Sequence, residues 1–118
     1  MPDNIQNYIL PTALALFLIW KFTREQMAKR KIPDFIKRGA KIIDVRSPGE
    51  FQSGHGLNSI NIPLDQFKKD FKQFNPNEPI ILCCASGARS AMAVGLLKKN
   101  GFKEVINIGS WTNIGARA

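Results

Sequence analysis

The chain has 118 residues and a formal net charge of +8, a length that admits one small domain plus an appendage. Its two cysteines are adjacent, which excludes a disulfide framework across a fold, and no Cys/His spacing suits a structural zinc, so neither a metal nor another cofactor is expected. No aromatic-interleaved basic stripe of the nucleic-acid-binding kind is present, which leaves a membrane surface and small anionic substrates as the partners that a basic chain implies.

Between Asp3 and Lys21 lie 17 consecutive uncharged residues, and Ile9 to Trp20 is strongly apolar. That length sits at the lower edge of what spans a bilayer as a helix, with Tyr8 and Trp20 near its ends where amphipathic rings favour the interface. A cleaved signal peptide would carry positive charge before the apolar run and a small-residue cut site after it. Here Asp3 precedes the run and Lys21-Phe22-Thr23-Arg24 follows it. A core helix apolar on all sides would overfill so small a domain. The expectation is one transmembrane helix. Lys21, Arg24, Lys29, Arg30 and Lys31 on its C-terminal side set the following domain in the cytoplasm, as a single-pass protein of the cell membrane. Residues 1–32 are assigned to the membrane helix and its basic flank, and residues 33–118 to the domain, with Pro33 as the boundary because proline disfavours helix at the residue before it.

Pro33 to Gly39 reads as a short helix ended by glycine. Lys41 to Arg46 reads as a strand, Ser47-Pro48-Gly49 as a turn and Glu50 to Gly54 as a helical turn. Ile60 to Leu64 is a brief strand stopped by Pro63. Asp65 to Phe74 carries Phe67, Phe71 and Phe74 on one helix face. Ile80 to Cys83 is an apolar strand, Ser90 to Asn100 a helix, and Val105 to Ile108 a last strand. Strands alternating with helical segments argue for an α/β fold: a small parallel sheet flanked by helices. In such sheets ligands gather at the carboxyl ends of strands.

At one of those ends stands Cys84-Ala85-Ser86-Gly87-Ala88-Arg89-Ser90. A strand, a cysteine, a small-residue turn and a helix start form a cradle for an anion. The turn leaves its N–H groups free to point inward, and the helix adds unpaired N–H groups and its positive dipole end. An anion-holding cradle around a thiol lowers the pKa of that thiol and makes it nucleophilic, and Arg89 adds a permanent charge. A buried structural cysteine is the bland reading; it fits Cys83, which continues the apolar run, better than Cys84. Ser86 and Ser90 either bond the loop or the sulfur, or cap the helix.

These residues carry a family resemblance. Asp44-Val45-Arg46 with Glu50-Phe51, Gly54-His55 and Ile60-Asn61-Ile62-Pro63-Leu64, then Cys84-x-x-Gly87-x-Arg89-Ser90, then Asn107-Ile108-Gly109-Ser110-Trp111, resemble in order the signatures of a single-domain rhodanese, over about residues 33–114. The resemblance implies a three-layer fold and sulfurtransferase activity. Cys84 would take the outer sulfur of thiosulfate or a persulfide as Cys84-S-S⁻, the N–H groups of residues 85–89 would hold that anion, and a thiol, cyanide or a protein sulfur acceptor would remove it. Catalysis would rest on Cys84 and Arg89, and binding on Ala85, Ser86, Gly87, Ala88, Arg89 and Ser90; Arg89 either orients the donor or braces the loop. His55, Asp44, Arg46 and Trp111 read as structural. Two departures stand out. Gly56-Leu57-Asn58 replaces the usual isoleucine-proline-glycine turn, with Asn58 able to adopt a left-handed conformation. The domain is also short, which predicts a more open cysteine.

Rival functions remain. Counted from Cys83, the spacing Cys-x5-Arg matches a cysteine phosphatase or arsenate reductase. A non-catalytic interaction module and a redox sensor, in which Cys83 attacks a Cys84 persulfide or forms a strained disulfide with Cys84, are the others.

Overall fold

The computed structural model describes residues 2–115. A 36-residue helix, α1 (Pro2–Lys37), leads into β1 (Lys41–Asp44), α2 (Pro48–Ser53), β2 (Ile60–Asn61) and α3 (Leu64–Asp70), which runs on into a 3-10 turn, Phe71–Gln73. β3 (Ile80–Cys84), α4 (Ala88–Lys99) and β4 (Val105–Ser110) follow, and a 3-10 turn, Trp111–Asn113, closes the domain. All neighbouring strands are parallel, in the order β2-β1-β3-β4. The α/β sheet expected from the alternation is present.

Strand alternation splits the core into two faces. Ile43, Leu82 and Cys84 turn toward Phe67, Phe71 and Phe74 and toward Ala93, Val94 and Leu97 of α4. Ile42, Ile81, Cys83, Ile106 and Ile108 turn the other way, toward Ile32 and Phe35 of α1. Adjacent cysteines in one strand therefore face opposite sides of the sheet.

The helix break expected at Pro33 is absent. Pro33 lies inside α1, although proline in a helix interior costs about 3 kcal/mol. Its neighbours supply the compensation, since Ile32 and Phe35 are buried against the sheet, each contributing roughly 1.5–3 kcal/mol. The C-terminal half of α1 is thus one layer of the domain. The N-terminal half projects from it with Ile9, Leu10, Leu14, Leu16, Phe17 and Leu18 exposed. Among the described residues no helix is long and apolar enough to cross a membrane.

Two smaller expectations hold. Asn58 is left-handed at φ 61°. His55 stacks on Phe51 at 3.8 Å and its Nδ1 lies 2.8 Å from the Phe51 carbonyl, a structural role.

Candidate active site

Cys84 is the last residue of β3, and α4 begins four residues later. The turn between them depends on Gly87, at φ 103°, a conformation that side chains disfavour. A β-carbon there would also lie 3.3 Å from Gly109 Cα of the neighbouring strand. This permits the Gly87 N–H to donate to Cys84 Sγ at 3.0 Å, while Ser90 Oγ lies 3.3 Å from the same sulfur. Burial is the largest influence on the thiol and opposes its ionisation. Hydrogen bonds from the Ser90 hydroxyl and from the N–H groups of Ser90, Gly87 and Ser86 together outweigh it, so Cys84 sits below the ordinary cysteine pKa. A group of this kind stabilises the fold above its unfolded pKa, and that contribution is lost as pH falls through the folded value.

The residues predicted to bind substrate divide into two groups. The backbone of Ser86, Gly87 and Ser90 converges on the sulfur, whereas the side chains of Ala85, Ser86 and Ala88 face solvent. The open cysteine expected from the short domain is not found: Cys84 is 1% exposed, because strand parity turns its side chain inward under α4.

Arg89 points elsewhere. Its Nη1 and Nη2 donate to Glu50 Oε1 and Oε2 at 2.7 and 2.9 Å, a bidentate pair linking α4 to α2. Ser47 caps α2 reciprocally with Glu50. The Arg89 fork first, and then the Ser47 N–H and hydroxyl, hold the Glu50 carboxyl down at about 2. The brace is therefore fully formed above the ordinary carboxylate range and lost only as pH falls toward that value. Behind it, Asp44 and Arg46 form a buried pair at 2.8 Å. Arg46 also donates to the carbonyls of Gly54 and Glu50 at 2.7 and 3.2 Å, and Trp111 covers its guanidinium at 4.7 Å.

Cys83 is 0% exposed on the far face. Burial first, and then the Asp44 carboxylate, push its thiol up to about 12. It is protonated at neutral pH, so the Cys-x5-Arg count from Cys83 lacks a nucleophile. Cys83 also lies across the strand from Cys84.

Three participants were not singled out from sequence. Glu50 was read only as part of a signature. Asn107 interrupts an apolar strand, and alternation between buried Ile106 and Ile108 turns it toward α4, where it accepts from Ser90 Oγ at 2.6 Å. Polar parity within an apolar strand was the available signal. Glu25 of α1 reaches the back of the loop: β-carbons built on Gly87 and Gly109 would lie 3.7 and 3.4 Å from its Oε1. Beside it, Trp20 and Arg24 of α1 and Ala88 and Ala91 of α4 help to wall a groove of about 290 Å³.

The model of the rhodanese-like domain matches residues 25–116. Among curated proteins, YqhL of Bacillus subtilis (strain 168) is 32% identical over 110 residues, covering 90% of this chain and 87% of that protein. The putative sulfur carrier protein YrkF of the same organism is 42% identical over 67 residues, 57% of this chain and only 36% of YrkF. Among solved structures, the rhodanese-related protein of Thermoplasma volcanium aligns with a TM-score of 0.61 at 33% identity, over 70% of this chain and 81% of that one.

Proposed function

Because this chain belongs to the family of rhodanese-like domains, we propose that it is a sulfurtransferase working through a Cys84 persulfide. The observation that carries the reading is the enclosed sulfur: Cys84 Sγ at the mouth of a parallel strand, with the Gly87 N–H at 3.0 Å and a pKa below the ordinary value. In the first half-reaction the Cys84 thiolate attacks the outer sulfur of thiosulfate or a persulfide. A bond from Sγ to that sulfur forms, the donor's S–S bond breaks, and the donor leaves as sulfite or a thiolate. In the second, a thiol or cyanide attacks the outer sulfur and Cys84 leaves as thiolate. The resemblance to a putative sulfur carrier favours a protein acceptor. The test is the mass of the intact protein after incubation with thiosulfate or a persulfide. A gain of one sulfur, discharged by a thiol or cyanide, is expected; an unchanged mass with both donors overturns the reading.

Arg89 serves this chemistry by bracing the loop through Glu50, to which both of its terminal nitrogens donate; three of its five N–H groups stay outside that pair. Arg89→Lys keeps the charge and loses the fork, and a tenfold or so fall in persulfide formation is expected. Full activity of the lysine variant would return Arg89 to a purely electrostatic role.

The exposed apolar half of α1 seats the protein in the cell membrane, with the catalytic domain on the cytoplasmic side beside Lys21, Arg24, Lys29, Arg30 and Lys31. Support comes from large side chains exposed all round the helix, among them Leu10 at 76% and Leu18 at 53%, a surface that soluble monomers rarely present. Membrane sedimentation that resists high salt is expected, because salt screens a purely basic attachment. Complete release by salt, or digestion of the domain by protease outside intact cells, would sink the anchor or its orientation respectively.

A further inference from the structure

Ser90 has one hydroxyl proton and two neighbours that compete for it. Its Oγ lies 3.3 Å from Cys84 Sγ and 2.6 Å from Asn107 Oδ1. The orientation of the Asn107 amide follows from its other partners: Nδ2 donates to the Gly87 carbonyl at 3.0 Å, and Oδ1 accepts from the Gly109 N–H at 2.9 Å. The reversed amide would set a donor against an N–H and an acceptor against a carbonyl. Oδ1 therefore faces Ser90 and only accepts, so at 2.6 Å the serine proton lies on the Asn107 side. Toward Cys84, Ser90 then offers a lone pair, which suits a neutral S–H and opposes a thiolate.

We propose that Asn107 is a positioning residue that takes the single hydroxyl proton of Ser90 and so withholds it from Cys84 Sγ until that sulfur becomes charged. When charge develops on Sγ, the Ser90 hydroxyl rotates toward it, and Asn107 Oδ1 keeps the Gly109 N–H. When Sγ is neutral, as a thiol or as the inner sulfur of a persulfide, the proton returns to Asn107. Ser90 is fully buried, so water does not replace either partner. The inference rests on Cys84 as the reacting group but not on sulfur as its cargo, because its readout is the ionisation of the thiol.

The charged groups around Cys84 come from several elements. From α4, Arg89 is held by Glu50 of α2. From β1, Asp44 and Arg46 are paired. Cys83 of β3 faces the opposite side of the sheet, and Glu25 of α1 lies against the outer side of Gly87 and Gly109.

The experiment is a double-mutant cycle on the pH midpoint of Cys84 alkylation by iodoacetamide, followed by peptide mass, in the full chain. Ser90→Ala is expected to raise the midpoint. Asn107→Leu removes the competing acceptor and is expected to lower the midpoint by about one unit more when Ser90 is present than in the Ser90→Ala background, roughly a tenfold difference in thiolate fraction below the midpoint. Loss of the Gly87 carbonyl partner acts in both backgrounds and cancels in the comparison. Equal shifts in the two backgrounds would overturn the proposal. If Asn107→Leu does not fold, Asn107→Asp keeps the accepting oxygens and makes them stronger. Its midpoint should rise more with Ser90 than in Ser90→Ala, and an equal rise in both would overturn the proposal as well. Failure of the mass test under Proposed function leaves this cycle readable, so the two can fail separately.

Discussion

Cys84→Ser is expected to lower persulfide formation and sulfur transfer on the order of a thousandfold or more, while Cys83→Ala retains most of both. The size follows from the loss of the nucleophile itself, since a serine hydroxyl does not ionise in this range. The contrast between two adjacent cysteines follows from the strand. Parity sends Cys84 under α4, where the Gly87 N–H meets it at 3.0 Å, and sends Cys83 among Ile42, Ile81 and Ile106 on the other face. One thiol is held below its ordinary pKa and the other is pushed up to about 12. Alanine is the better probe at position 83, since a serine hydroxyl there would be buried among aliphatic side chains. An inactive Cys83→Ala that is still folded, together with an active Cys84→Ser, would transfer the chemistry to Cys83 and revive the Cys-x5-Arg count. The same geometry bears on the redox alternative. Attack by Cys83 on a Cys84 persulfide needs a thiolate at a position where burial and Asp44 disfavour it, and a reach around the strand.

The largest loss of stability is expected from Asp44→Ala. The Asp44 carboxylate is fully buried and accepts from the Arg46 backbone N–H at 3.0 Å and from its guanidinium at 2.8 to 3.0 Å. Removing it leaves a guanidinium, itself 4% exposed, without its counter-charge. Breaking a buried pair from one side costs about 3–5 kcal/mol, a large fraction of the 5–15 kcal/mol that holds a domain together. For a domain of this size that corresponds to a fall in Tm on the order of 15 °C or more. Replacing both partners together, as in Asp44→Leu with Arg46→Met, should recover much of the loss, because no unpaired charge remains. Thermal melts of the single and double variants decide the matter, and an Asp44→Ala melt within a few degrees of wild type would sink the expectation. The pair matters to the site because Arg46 holds the carbonyls of Glu50 within α2 and of Gly54 just after it, and α2 presents Glu50 to Arg89.

The fold class and the turn around Cys84 were legible in the sequence because both depend on local order along the chain. Alternating short strands and helices imply a parallel sheet, and a small-residue turn between strand and helix implies backbone donors aimed at the residue before it. Phe67, Phe71 and Phe74 announced their buried face by spacing alone, and Asp44 and Arg46 read as structural residues, which their buried pair bears out. The tertiary structure decided what depends on partners distant in sequence. Whether α1 ends at Pro33 was settled by burial of Ile32 and Phe35 against the sheet, which local proline preference does not register. Where the Arg89 side chain is held was decided by Glu50, 39 residues away. That Asn107 holds the Ser90 proton required β4 to lie beside β3 in one register, Leu82 opposite Asn107, so that a polar residue in an apolar strand arrives under the first turn of α4. The sequence by itself determined which atoms could react. Only the packing of α1, α2 and β4 around one loop decided which of those atoms meet, because an ion pair or a shared proton exists only between groups that the whole fold brings within about 3 Å.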